Sequence, residues 1–135
     1  MPPPKSSPAK LNVVMYKPRQ GNYDHWALHL EDGHSNIIYE VVGQHPNFEK
    51  HSVKARPQNS INFKHSFQVG EINADDIPSF TDEVSKAKVD NTTVHWNCQD
   101  YVIEIVEKLV EECIIDEDDY KKVERQIKRH FGARV

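Results

Sequence analysis

Cys98, His25 and Glu40 are the residues whose types and spacing could do chemistry together. Cys98 stands in Asn97-Cys98-Gln99-Asp100-Tyr101, which runs straight into Val102-Ile103-Glu104-Ile105-Val106-Glu107-Lys108-Leu109-Val110. Apolar residues at positions 102, 105, 106, 109 and 113 form one stripe at the helical period. Glu104, Glu107, Lys108 and Glu111 fall mainly on the other side. The spacing predicts a helix with Cys98 in its first turn, on the face that meets the rest of the fold, and Asn97 as N-cap. A thiol there feels unpaired N–H groups and the positive end of the helix dipole. Both favour thiolate, so a pKa below the free value of about 8.5 is expected. A structural cysteine fits the same place.

A nucleophilic thiol needs a base within reach and a third group to orient that base. Of eight histidines, His25 is the best placed, near the start of a strand and beside a loop. Asp32-Gly33 is a strong hairpin signal. A two-residue turn there pairs Glu31 with His34 and sets His25 directly opposite Glu40, roughly 5 Å apart at Cβ. Glu40 would then accept the Nδ1–H of His25 and leave Nε2 for the thiol. One residue of slip substitutes Tyr39 and turns the side chains to the other face. His25 and His29 on one strand are roughly 13 Å apart, so no shared metal is expected, and nothing implies a cofactor. His34 and His45 read as solvent-facing, and His51, His65 and His130 have no partner legible in the sequence. His95 should precede the helix and face elsewhere. Cys113 reads as an inert apolar residue at the helix end, roughly 22 Å from Cys98 along the axis, so no disulfide joins them. Trp26 and Trp96 read as core.

These residues need elements to position them. Short β-branched or alternating runs predict strands over 11–16, 24–31 and 36–42, with further strands inside 48–55 and 61–72. A helix is expected from about 74–78 to 86–87, the cysteine helix next, and a last helix from about 116–119 to 130–131. Acid leads that last helix and basic residues follow, which suits its dipole. Strands then helices predict an α+β domain, an antiparallel sheet packed on helices. Residues 1–9, rich in Pro and Ser, read as a disordered tail, and 10–135 as a single domain.

At 135 residues the chain can bury a core of its own. A net charge of −4 argues against nucleic acid as the main partner. No stretch is long and apolar enough to span a membrane, and the N-terminus lacks a signal-peptide core. A cytoplasmic, reducing setting is expected. The sequence does not specify an oligomeric state.

Tyr23-Asp24-His25-Trp26-Ala27-Leu28-His29-Leu30, then Asp32-Gly33 and a strand, then Asn97-Cys98-Gln99-Asp100-Tyr101-Val102 opening a helix, resembles the circularly permuted papain-like superfamily. Its members include NlpC-type bacterial proteins, lecithin:retinol acyltransferase-like enzymes and permuted papain-fold peptidases that remove ubiquitin-like modifiers. The chain also resembles fungal intracellular proteins with an Asn-Cys-Gln-Asp box. The resemblance spans about residues 23–112 and rests on two short boxes. It implies a permuted papain-like fold with Cys98 as nucleophile, His25 as base, and Tyr39 or Glu40 as third residue, with Asn97 supporting. The acyltransferase branch commonly carries His at that third position and a C-terminal membrane-anchoring helix; neither is found here. The implied activity is a cysteine-dependent hydrolase, of thiol peptidase or isopeptidase type, acting on a peptide, protein or acyl substrate in a groove. The alternatives are an inactive papain-like binding module and a thiol acyltransferase or lipid esterase.

Overall fold

The computed structural model describes residues 8–19 and 22–132. Among these residues five strands and three α-helices follow one another: β1 (Ala9–Tyr16), β2 (His25–Glu31), β3 (Asn36–Val42), β4 (Glu49–Lys54), β5 (Phe63–Ile72), α1 (Ile77–Lys86), α2 (Cys98–Glu111) and α3 (Glu117–Arg129). The strands form one antiparallel sheet in the order β4-β3-β2-β1-β5. The α+β class expected from the sequence is therefore the class observed. Most of the expected tail lies outside the described residues, but Ala9 is not part of it: it opens β1 and is buried. Among the described residues, no helix is long and apolar enough to cross a membrane.

The period-two alternation of the strands divides the sheet into two faces. Leu11, Val13 and Met15 of β1 join Trp26, Leu28 and Leu30 of β2 in the main core, which takes in Val102, Ile105, Val106 and Leu109 of α2. The opposite face carries a smaller cluster, Val14, Tyr16, Ala27 and Ile38, with Phe63 packed against it. His25, His29 and Glu40 are buried polar residues on that second side. His29 sits in a line of amide and imidazole: Asn12 Nδ2 lies 3.1 Å from its Nδ1, and its Nε2 lies 2.8 Å from Asn36 Oδ1. The amide nitrogen can only donate and the amide oxygen can only accept, so His29 is the neutral Nε2–H tautomer. This satisfies a buried ring that the sequence left without a role.

The hairpin between β2 and β3 differs from the two-residue turn expected. Glu31 pairs with Asn36, not His34. Asp32 closes a longer turn, its Oδ1 accepting the N–H groups of His34 and Ser35 at 2.9 and 2.7 Å, while Gly33 takes φ +90°. Side-chain capping of this kind competes with the tighter turn. The register is thus displaced by two residues, and a displacement of two preserves the face.

Helix α2 starts where expected. Asn97 Oδ1 accepts the Gln99 N–H at 2.8 Å, and Asp100 Oδ2 accepts the Asn97 N–H at 2.9 Å, a reciprocal capping box. The far end does not reach Cys113, contrary to expectation. Cys113 adopts φ +59°, and the N–H groups of Ile114 and Ile115 turn back onto Leu109 O at 2.9 and 3.3 Å. That left-handed stop exposes Cys113 and buries Ile115 in its stead. Asn97→Ala removes one arm of the capping box; chemical denaturation should show a loss of about 0.5–2 kcal/mol, and an unchanged midpoint would contradict the capping account.

Candidate functional site

The β2–β3 ladder runs only from Glu31↔Asn36 to Leu28↔Tyr39. Beyond it, residues 25–27 pair with β1, and residues 40–42 pair with β4. The two strands therefore diverge, leaving backbone groups of β2 without a β3 partner. The first turn of α2 supplies partners instead. Gln99 Nε2 donates to Asp24 O at 2.9 Å, and Cys98 Sγ lies 3.9 Å from the same oxygen. The N–H of Trp26 acts on the Cys98 sulfur. Gln99 Oε1 in turn accepts the N–H of Gly132 at 2.8 Å, tying the segment after α3 to the same point. His25 and Cys98 line one cavity of about 170 Å³, together with Arg19, Tyr23, Phe48 and the end of β3.

His25 is held by Glu40. Its Nε2 lies 2.6 Å from Glu40 Oε1, and Tyr16 packs against the ring with centroids 5.7 Å apart. With β2 and β3 two residues out of the expected register, Glu40 is a diagonal neighbour of His25, still within reach of a long side chain. Tyr39, the alternative third residue, faces the helices and packs edge-on against Phe80, with ring centroids 5.4 Å apart. The ring nitrogen is the reverse of the one expected: Nε2, not Nδ1, meets the carboxylate. An ionised carboxylate only accepts, so the neutral ring carries its proton on Nε2 and its lone pair on Nδ1.

Glu40 has two more partners that sequence reasoning missed. His51, directly opposite it on β4, places Nδ1 2.8 Å from Oε2, and Arg19 Nη1 lies 3.5 Å from Oε1. Burial raises the Glu40 pKa, but the hydrogen bonds from His25 and His51 and the charges of His25 and Arg19 outweigh it, so it ends below the ordinary carboxylate value. The β3–β4 loop is fastened to the segment before α2 by Asn91, which accepts the Phe48 N–H at 2.7 Å and donates to Phe48 O at 3.1 Å.

A family profile matches residues 11–116. The chain belongs to this family, a family of unknown function (DUF6540). No curated protein and no solved structure matches it. The DUF6540 span takes in Arg19, His25, Glu40, His51 and Cys98, and stops before α3.

The electrostatics of Cys98 overturn one expectation. Burial pushes the thiol up to about 11, against the pull of the N–H groups of Trp26, Cys98 and Gln99. The helix terminus acts in the expected direction and is outweighed, because only 3% of the residue is exposed. A larger cavity lies elsewhere, about 580 Å³ beside α1 and α2, and six of its nine lining residues are charged. It holds neither cysteine nor histidine, so the smaller cavity at Cys98 carries the candidate chemistry.

Two outcomes follow for the site. Iodoacetamide at neutral pH should label exposed Cys113 well before Cys98, read by peptide mapping; a Cys98 that reacts first and titrates below about 8.5 would contradict the burial argument. Because the folded Glu40 pKa is depressed, its contribution to stability is present above the ordinary carboxylate value and lost as pH falls through the folded one. Denaturation between pH 3 and 7 should therefore show a shallower acid loss in Glu40→Gln than in wild type, and parallel curves would contradict it.

Proposed function

We propose that this protein is a cysteine-dependent hydrolase of the permuted papain-like kind, with Cys98 as nucleophile, His25 as general base and Glu40 as the residue that orients His25. The observation that carries this reading is the 2.6 Å contact between buried Glu40 and His25 on the wall of the Cys98 cavity. A buried carboxylate with imidazole partners is weak evidence for stability, since apolar residues of similar volume serve stability at least as well. It is what an imidazole base needs to hold one tautomer.

The resting thiol is neutral. As its sulfur attacks the substrate carbonyl, the C–S bond forms and the thiol proton passes to His25 Nδ1. The imidazolium that results is stabilised by Glu40 across Nε2. The leaving group departs with the electrons of its bond to the carbonyl carbon and takes the proton back from His25. Water then attacks the thioester with His25 again as base, releasing the acid and restoring the thiol. The N–H groups of Trp26 and Cys98 border the sulfur and are the available donors for the oxyanion. An acyltransferase differs only in the acceptor that replaces water.

A second reading, an inactive binding module, is favoured by the burial of Cys98 and its raised pKa. Intact-mass measurement after mixing with p-nitrophenyl hexanoate separates the two. The hydrolase reading expects an acyl adduct on Cys98, absent in Cys98→Ser and formed at least about 100-fold more slowly in His25→Ala. An adduct confined to Cys113, or a Cys98 rate indifferent to His25, would leave the binding module.

A further inference from the structure

We infer that the cavity next to the Cys98 pocket is a subsite for an uncharged, bulky apolar group, aromatic or aliphatic, on the acyl side of the bond that is cleaved. The inference rests on the hydrolase reading for the reaction, though not for the binding. The cavity measures about 420 Å³, within the range of about 300–1,000 Å³ for ligand clefts. Tyr23 and Phe48 belong to both cavities, so they form the partition between them. Trp96 and Asn97 line the second cavity and immediately precede the nucleophile in the chain. A group seated there is therefore separated from the Cys98 cavity by the Tyr23 and Phe48 side chains alone.

Its lining sets the chemistry. Among the described residues that line it, eleven in all, none is Asp, Glu, Lys or Arg, in a chain of which 28% is charged. Its polar groups are amides, the Tyr23 hydroxyl and the imidazoles of His45 and His95. Burying a charged substrate group against such a wall leaves that charge unpaired, which is costly. The charged cavity beside α1 and α2 offers the contrast on the same molecule.

The rim supplies an independent observation. Of the four large hydrophobic residues left exposed among the described residues, Val94 at 68% and Phe131 at 47% both line this cavity. Exposed apolar residues converging on one concave site mark a place where an apolar ligand completes the burial. Phe48 and Trp96 form the floor, packed edge to face at 5.6 Å between centroids, and Trp96 is fixed by its Nε1–H to Glu104 Oε2 at 2.6 Å. The floor is preformed, so binding an apolar group costs little ordering.

The experiment compares Cys98 acylation by the p-nitrophenyl esters of acetic, hexanoic, phenylacetic and succinic acids at pH 8. Hexanoyl and phenylacetyl esters should react at least about tenfold faster than acetyl and succinyl esters, the discrimination expected of an apolar pocket. Val94→Asp should collapse that ratio, whereas Ile61→Asp, the same change at an exposed residue outside the cavity, should leave it intact. A parallel titration of Cys98→Ser protein with N-acetylphenylalanine amide, followed by tryptophan fluorescence, should show binding that Val94→Asp weakens. Acylation without preference among the esters, or binding and preference both indifferent to Val94→Asp, would overturn the subsite. Binding of the amide without acylation by any ester would uphold the subsite and remove the hydrolase reading.

Discussion

Glu40 is 4% exposed, and a carboxylate so buried stays ionised only if donors meet both of its oxygens. That single requirement organises one side of the sheet. Oε1 takes His25 and, more distantly, Arg19; Oε2 takes His51. Three strands and the β1–β2 loop are thereby set with respect to one another at one carboxyl group. Arg19 reaches it while lying 5.4 Å from the Tyr16 ring centroid, and Tyr16 packs on His25. Each member limits the freedom of the next, and with Nε2 on the carboxylate a neutral His25 is left with one tautomer.

The other organising constraint is the backbone of β2 where β3 leaves it. Polar backbone groups cannot be abandoned inside a protein, and here the first turn of α2 answers them, Cys98 at the Trp26 N–H and Gln99 at Asp24 O just before the strand. This explains why the cysteine is buried. Its sulfur occupies a place in the opening of a sheet rather than at a free helix end. The contest between helix dipole and desolvation is decided by that position. Terminal charge effects are worth about 0.3–1 kcal/mol at exposed sites, whereas burial can move a titrating group by up to about 3–5 pKa units.

Much of this was legible in the sequence, and the failures have physical causes. The stripe at 102, 105, 106 and 109 reported α2 correctly because it is a property of consecutive residues, and all four are buried. Asn97 capping was legible for the same reason. The turn at Asp32-Gly33 was not, because Asp32 chose its own side chain as the turn's hydrogen-bond acceptor. Glu40 still met His25 because an error of two leaves parity intact. Cys113 departed from the stripe because a left-handed residue there stopped the helix, a conformation that a non-glycine residue seldom signals. His51 and Arg19 were invisible to sequence reasoning. The His51 contact depends on the β3–β4 register and the Arg19 contact on the placement of the β1–β2 loop, neither of which is a property of consecutive residues.

The central claim is that Glu40 holds His25 as the Nε2–H tautomer, which leaves the lone pair on Nδ1 for the base role proposed above. Long-range ¹H–¹⁵N correlation of the imidazole rings measures this directly. For neutral His25 the account requires a protonated, pyrrole-type Nε2 and an unprotonated, pyridine-type Nδ1, with that preference lost in Glu40→Ala. A neutral His25 protonated at Nδ1 in the wild type would contradict the account.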